Sequence, residues 1–153
     1  MSTHDTVFYL VVPGRPHGQQ RHRARRVGNK VIIFDAPANR VFKQKIQVCW
    51  HEAQAKARPV WDPTGPFELH VDAIYNCTKP PRKNVPHPSA WRVKKHDLDN
   101  ILKAVMDGLS GLAWEDDSQV VHIVARKWES KQGEPARTTV TVKRILDCMS
   151  TPG

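Results

Sequence analysis

The acidic residues of this chain are concentrated in one short stretch. Six of the 15 aspartates and glutamates lie between Asp97 and Asp117, in a chain with 24 lysines and arginines and a formal net charge of +9. Crowded like charges repel one another unless something positive lies between them. A divalent cation is the simplest such object, because Mg²⁺ takes carboxylate oxygens, often together with substrate phosphate oxygens. The first hypothesis is therefore a metal-dependent enzyme that acts on a phosphate polymer.

Length and charge narrow the alternatives. A chain of 153 residues suits a single domain, 1–153, with a real core. Its pI of about 9.8 predicts a polyanionic partner, either nucleic acid or an anionic membrane. The membrane is the weaker alternative, because no apolar run approaches the roughly 20 residues that span a bilayer. Cys49, Cys77 and Cys148 form no CxxC pair, which favours a reducing, cytoplasmic setting.

Hydrophobic periodicity predicts seven regular elements. Strands are expected at 6–12, 31–34, 67–76, 120–128 and 136–143, and helices at 38–58 and 99–109. Asn39 is a candidate cap of the first helix, whose apolar face includes Cys49 and Trp50. The order ββαβαββ predicts an α/β (α+β) fold, with a small mixed β-sheet flanked by two main helices. Residues 144–153 are expected to form a frayed tail.

Two basic loops, 13–30 and 79–96, are candidate DNA-binding segments. The first lies in a region, 6–34, that has no acidic residue, and Gly28-Asn29 suggests a hairpin turn before the strand at 31–34. The second has six lysines and arginines, four prolines and no acid. For the first loop the alternative is a solvated charged loop, but the density of arginine favours phosphate contacts. For the second loop two interpretations stay open, a disordered surface excursion or a second DNA-contacting arm. The candidate residues are Arg15, Arg21, Arg23, Arg25, Arg26, Lys30, Lys94 and Lys95.

Trp91 lies in the second basic loop and has two interpretations. It could stack on an exposed base, or it could pack against the protein. A lone tryptophan in a loop usually packs, so packing is the preferred interpretation for this residue.

The acidic stretch has a spacing that suits a metal site. Asp97 and Asp99 are two residues apart, and side chains at i and i+2 of an extended segment point the same way. Asp99, Lys103 and Asp107 fall on one helical stripe, which places a lysine one turn from the carboxylates. After the helix, Asp116 or Asp117 is expected to return to the same neighbourhood.

The run HDLDNILKAVMDGLSGLAWEDDSQVV, from His96 to Val121, resembles the RusA family of Holliday-junction resolvases. The shared pattern is D-x-D-N-x-x-K, a later aspartate in the helix, and then D-D-x-Q-V. The resemblance implies a small homodimeric α/β endonuclease that needs Mg²⁺, with Mn²⁺ as an alternative. Such enzymes cut four-way DNA junctions by paired incisions in recombination and repair, and many are encoded by phages or prophages.

Carried onto this chain, the family pattern implies a set of site residues. The catalytic acids and metal ligands fall on Asp97, Asp99 and Asp117, and the catalytic lysine falls on Lys103. The motif has three more polar positions, Asn100, Asp107 and Asp116. These are expected to contact and orient the catalytic groups without binding the metal themselves. Arg15-Pro16 also fits the family, whereas the Arg-rich run that follows fits poorly.

Two rival interpretations remain. A basic DNA-binding protein without catalysis would carry the same acids for structural reasons. A phosphatase or sugar transferase could also use a DxD pair, but phosphatases of the haloacid dehalogenase type place it after an apolar strand, and here Arg92-Val93-Lys94-Lys95-His96 precedes it. A transferase would also need a nucleotide-binding fold, for which the chain has no Gly-rich loop.

Overall fold

The described residues form seven strands and two α-helices. The computed structural model describes residues 6–56 and 60–145. In chain order the elements are β1 (Val7–Pro13), β2 (Arg23–Val27), β3 (Lys30–Phe34), α1 (Pro37–Lys56), β4 (Phe67–Tyr75), β5 (Ala90–Trp91), α2 (Leu98–Leu109), a 3-10 turn (Asp117–Gln119), β6 (Val120–Glu129) and β7 (Arg137–Arg144). Neither helix in this part of the chain has the length and hydrophobicity that crossing a bilayer requires.

Five of the strands form one mixed sheet in the order β1-β7-β4-β6-β5. β4 and β6 are parallel, and the other neighbouring pairs are antiparallel. A parallel pair needs a crossover, and the segment that contains α2 provides it. The predicted mixed sheet with two main helices is therefore confirmed, and the crossover places the start of α2 near one end of β4 and β6.

Both helices pack on the same face of the sheet. β1 alternates strictly, with Phe8, Leu10 and Val12 buried and the residues between them exposed. The two helices approach closely at Gly108 of α2. A Cβ added there would lie only 2.9 Å from Cβ of Ile46 in α1. The core includes these strand residues together with Phe42, Trp50, Trp61, Phe67, Leu69, Val71, Val105, Leu109, Trp114, Val140 and Val142. The opposite face of the sheet has no helix over it in the described part of the chain.

Two strands fall inside the predicted loops. β2 lies within 13–30 and pairs with β3 as a hairpin separate from the main sheet. This confirms the hairpin, but Arg23, Arg25 and Arg26 belong to a strand and not to an irregular loop. β5 lies within 79–96 and pairs with β6. Periodicity could not show either strand, because all residues of β2 and β5 are exposed.

Three smaller predictions need correction. Asn39 does not cap α1, because the helix begins at Pro37 and Asn39 lies inside its first turn, buried. Trp91 does not pack, because it is 73% exposed. Arg144 belongs to β7, and the Ile145 N–H donates to Pro66 at 2.9 Å, so the chain stays ordered past the predicted end of the strand. The rest of the predicted tail, 146–153, and the end of the first helix beyond Lys56 lie outside the described residues.

Candidate active site

Asp97 and Asp99 lie at the N-terminus of α2. Asp97 is the N-cap residue, with an extended backbone (φ −67°, ψ 139°) and no side-chain capping hydrogen bond. Asp99 follows in the first turn, and both residues are exposed. The sequence predicted that both aspartates lie in one extended segment. This is wrong, because Asp97 is extended whereas Asp99 is helical. Carboxylates at a helix N-terminus are favoured by the helix dipole, and the Asp97 side chain has no capping bond that would compete for a ligand.

The segment that leads into Asp97 is tied to the edge of the sheet. Arg92 is buried, and its Nη1 lies 3.1 Å from Oε1 of Glu129 at the end of β6. The Arg92 Nε also donates to the Lys95 carbonyl at 3.0 Å. Lys127 Nζ donates to the carbonyls of Lys94 and His96, each at 2.7 Å. These contacts fix the backbone on the N-terminal side of the carboxylates.

Tyr75 contacts this segment, whose last residue before Asp97 is His96. The Arg92 guanidinium lies 4.0 Å from the centre of the Tyr75 ring. The Tyr75 hydroxyl is buried beside the His96 backbone without a well-formed hydrogen bond, and burial raises its pKa. Burial lowers the pKa of His96, and the nearby positive charge of Arg15 lowers it further. A neutral imidazole and a protonated phenol are therefore the favoured forms beside Asp97.

The first basic loop docks directly onto α2. The Gln19 N–H donates to the Asn100 carbonyl at 2.9 Å, and its side-chain amide donates to Oδ2 of Asp107 at 2.7 Å. Gly18 packs so closely that an added Cβ would lie 2.8 Å from Cβ of His96. Asp107 therefore holds the loop, and a polar cleft of about 200 Å³ opens between the loop and the start of α2, lined by Gly18, Gln19, Gln20, Lys95, His96, Asp97 and Asn100.

Asn39 anchors the other side of this loop. Its side-chain oxygen accepts from the Gln20 N–H at 3.0 Å and lies 2.7 Å from Nε2 of His17. Its side-chain nitrogen donates to the Gln20 carbonyl and to Asp35. The loop is thus fixed to both helices before the chain enters the basic hairpin β2–β3.

Asp116 and Asp117 have different local roles. Asp116 is the N-cap of the 3-10 turn, and its carboxylate accepts from the Ser118 N–H at 2.9 Å. Hydrogen bonding from the Ser118 side chain, and then from its backbone N–H, lowers the pKa of Asp116. Oδ1 of Asp117 accepts from Nε1 of Trp114 at 2.8 Å, which leaves its second oxygen for another ligand. Gln119 completes the capping box by accepting the N–H groups of Glu115 and Asp116.

The structure does not bring Asp117 to Asp97 and Asp99 within one chain. Asp117 lies just before the start of β6, whereas His96 contacts Lys127 near the end of that strand. From Val120 to Lys127 the strand rises by seven residue steps, or about 20 Å, and the 12 residues of α2 span about 18 Å. In the described residues no group of three or more His, Cys, Asp or Glu side chains is placed to hold a metal ion. The expectation that the acids meet within one chain is therefore wrong, because α2 runs along the sheet and does not return.

Lys103 and the candidate DNA-binding residues are all exposed. Lys103 lies on α2, one turn after Asp99, and is exposed. Arg15 lies 5.8 Å from the centre of the Tyr75 ring. The other candidate DNA-binding residues are also exposed, with Arg21 in the loop, Arg23, Arg25, Arg26 and Lys30 on the hairpin, and Lys94 and Lys95 before Asp97.

The donor chemistry at the start of α2 fits a hard divalent cation. Asp97 and Asp99 offer carboxylate oxygens, and a Mg²⁺-type ion commonly uses one or two carboxylates with water and phosphate oxygens. Asp117 offers the same chemistry at the other end of the sheet. The carboxylates therefore suit a divalent metal, although one chain supplies them in two separate places.

Sequence reasoning missed the residues that position the site. Gln19, Arg92, Lys127 and Glu129 act through contacts between segments far apart in the chain, and no local spacing connects them. Gln119 did carry a signal, because it is the glutamine of the D-D-x-Q-V pattern and forms the capping box.

Comparison with known proteins gives the class of protein. The sequence model described as endodeoxyribonuclease RusA matches residues 13–143, which is most of the chain. The chain therefore belongs to the RusA family of endodeoxyribonucleases, and nucleases of this family generally depend on a divalent metal ion.

Two particular relatives are similar over most of their length. The uncharacterized protein YqaN of Bacillus subtilis (strain 168) is 30% identical over 146 residues, covering 89% of this chain and 95% of the relative. The crossover junction endodeoxyribonuclease rusA of Lactococcus phage r1t is 25% identical over 121 residues, covering 78% of this chain and 86% of that protein.

Proposed function

We propose that this enzyme is a Mg²⁺-dependent, homodimeric Holliday-junction resolvase that cuts four-way DNA by paired symmetric incisions. The observation that carries the proposal is the pair of exposed carboxylates at the start of α2, beside a basic loop that Gln19 fixes to the same helix. A phosphodiester backbone held by the basic loop would pass next to Asp97 and Asp99. The name of the phage relative supports the choice of a crossover junction as substrate.

The proposed chemistry divides the work among a few side chains. Asp97, Asp99 and Asp117 would hold the metal, which when bound supplies a water of lowered pKa at the scissile phosphate. Lys103, one turn along α2 from Asp99, would stabilise the charge that builds on that phosphate. The arginines of the loop and hairpin bind phosphate oxygens and position the DNA without reading its sequence.

The distance between the two ends of the sheet supports a site shared between two chains. One chain places Asp97 and Asp99 about 20 Å from Asp117, which is too far for a single metal centre. If a two-fold axis passed through the surface formed by α2 and β6, each of these elements would lie antiparallel to its copy. Asp117 of one chain would then lie near Asp97 and Asp99 of the other. Such a dimer would carry two equivalent sites, as paired incision requires.

Exposed apolar side chains mark a surface for this dimer. Ile123 pairs with the buried Leu69 in the β4–β6 ladder and so lies on the helix-covered face of the sheet. It is nevertheless 38% exposed, and Val121 on the same strand is 62% exposed. Exposed apolar side chains that lie close together are typical of a protein–protein interface. These two lie on β6, between the two places where the carboxylates are found. Ile123→Glu should therefore yield a monomer that does not cut junctions.

The proposal is tested first with a synthetic four-way junction and a linear duplex of matching sequence. The wild-type protein should cut the junction in two symmetric places with Mg²⁺ and should not cut it with EDTA. Asp97→Asn and Asp99→Asn should abolish cutting while binding persists, because less negative charge faces the phosphates. Tight binding without cutting by the wild-type protein under all metal conditions would favour the non-catalytic DNA-binding alternative.

The shared site is tested by mixing two inactive variants. Asp97→Asn and Asp117→Asn homodimers each lack part of both sites. In a heterodimer of the two, one site has both substitutions and the other has neither. An equimolar, subunit-exchanged mixture should therefore recover about a quarter of the wild-type sites and nick only one strand per junction. No recovery, with exchange verified by mass spectrometry, would contradict the shared site.

A further inference from the structure

The edge strand β5 carries an exposed tryptophan beside a small notch. Trp91 is 73% exposed, although tryptophan is highly buried on average. It lies opposite Trp128 in the β5–β6 ladder. The notch has a volume of about 300 Å³ and is lined by Ser89, Ala90, Trp91, Arg126 and Trp128. It opens on the face of the sheet opposite the helices, so it is separate from the cleft at Asp97.

The carboxylate of Asp72 fixes two of the residues that line the notch, Arg126 and Trp128. Oδ1 and Oδ2 of Asp72 accept from Nε and Nη2 of Arg126 at 2.7 and 2.9 Å. The same carboxylate lies 3.4 Å from Nε1 of Trp128. A planar guanidinium and an indole are therefore fixed by one partner, while the Trp91 ring remains uncovered. A site with two fixed walls and an open aromatic face requires little reorganisation to accept a flat ligand.

We propose that this notch binds an unpaired nucleobase of the DNA substrate, stacked on Trp91. The inference rests on the proposed function, because a distorted junction supplies unpaired bases. Every base has a π-face, so stacking on an aromatic side chain needs no particular sequence. A volume of about 300 Å³ is at the small end of ligand pockets, which suits a single planar ring system.

Charge around the notch favours a polyanion. Trp91 lies within loop 79–96, which has six lysines and arginines and no acid. Asp97 follows six residues later, so the connecting segment can span at most about 20 Å. That distance corresponds to roughly six stacked nucleotides. One strand could therefore contact the notch with a base and the carboxylates with its backbone.

A second copy of the chain is a less suitable occupant. In a two-fold dimer centred on the notch, loop 79–96 would face its own copy, which carries the same charge. Such an arrangement is repulsive. β5 also has only two residues, which gives little backbone edge for pairing with another strand.

The test measures binding to single strands in EDTA, where no cutting occurs. The probes are an oligo-dT and an abasic strand of the same length, and the variants are Trp91→Ala, Trp91→Phe and the control Tyr9→Ala. Tyr9 is 60% exposed on β1, at the opposite edge of the sheet. Trp91→Ala should weaken oligo-dT binding about tenfold, since stacking is worth roughly 1–3 kcal/mol per base. Trp91→Phe and Tyr9→Ala should stay close to wild type.

Two further readouts separate stacking from a general loss of binding. Wild-type tryptophan fluorescence should be quenched by oligo-dT, and Trp91→Phe should lose most of that quenching while it keeps its affinity. The abasic strand should bind wild type and Trp91→Ala equally. An equal loss with Trp91→Ala on both strands would overturn the proposal, and so would a change from dimer to monomer on sedimentation, which would identify the notch as an interface.

The outcomes also distinguish this proposal from the proposed function. If the wild-type protein shows the stacking pattern but cuts no four-way junction, the notch is supported and only the resolvase assignment is overturned. If junctions are cut as proposed and Trp91→Ala binds oligo-dT as the wild type does, the notch proposal alone is overturned.

Discussion

Nη1 of Arg92 lies 3.1 Å from Oε1 of Glu129, and this ion pair is buried at the edge of the sheet. Because the Arg92 Nε also holds the Lys95 carbonyl, the pair ties the segment before Asp97 to the end of β6. The placement of the carboxylates at the start of α2 therefore depends on a residue 32 positions further along the chain.

Breaking this buried pair should be costly. Glu129→Gln leaves the Arg92 charge buried without its counter-charge, and loss of one partner of a buried pair typically costs about 3 kcal/mol or more. We expect the free energy of unfolding to fall by about that amount, measured by urea denaturation. Glu134→Gln is the matched control, because the Arg137–Glu134 pair is longer, at 3.7 Å, and more exposed, where such pairs are worth about 1 kcal/mol or less. Equal effects of the two substitutions would show that the Arg92–Glu129 pair is not structurally important.

Asp116 and Asp117 should respond differently to the same isosteric change. Asn is as good an N-cap as Asp, so Asp116→Asn should keep the turn and leave substantial cleavage activity. Asp117→Asn can still accept from Trp114, but it removes the charge that we assign to the metal, so Mg²⁺-dependent cleavage should be lost. The measurement is single-turnover cleavage of one junction at one metal concentration. The reverse ranking would move the ligand to Asp116.

The hairpin β2–β3 should contribute to the salt dependence of DNA binding. Arg23, Arg25 and Arg26 are exposed on β2. If they bind phosphates, the triple alanine variant should bind DNA more weakly, and the slope of log K against log salt should fall by up to about 0.9 for each phosphate that is no longer neutralised. Lys131→Ala, in the exposed turn after β6, serves as the control and should keep the wild-type slope. An unchanged slope in the triple variant would show that the hairpin does not touch DNA.

Glu68 should contribute to the loss of stability in acid. A hydrogen bond with His70 holds the pKa of the Glu68 carboxyl below its ordinary value of 4.5, with help from the charge of His122. A carboxyl whose pKa is lower in the folded state stabilises the fold above the unfolded pKa, and this contribution is lost as the pH falls through the folded value. Urea denaturation between pH 6 and pH 3 should therefore show a smaller loss of stability for Glu68→Gln than for wild type. Identical pH profiles would contradict this role of Glu68.

Local patterns predicted most of the regular structure. β1, β4 and α2 each have one buried face, and that face leaves a regular hydrophobic period in the sequence. The period made these three elements predictable. The residues of β2 were interpreted as a basic loop before the hairpin turn, and β5 was not predicted, since neither strand has a buried face that would leave a hydrophobic period in the sequence. The same limit applies to Trp91, whose exposure depends on its edge position opposite Trp128 and not on its neighbours in the chain.

The sequence by itself determined the family, the fold class and the presence of two acidic motifs. The D-x-D-N-x-x-K and D-D-x-Q-V patterns are local, so a helix start and a capped turn with these residues follow directly from the order of amino acids. Only the tertiary structure decided where those two motifs lie relative to one another. Because α2 and β6 are extended elements running along the sheet, they hold Asp97 and Asp117 about 20 Å apart. The contacts that fix each end, such as Gln19 with Asp107 and Arg92 with Glu129, join segments that only folding brings together.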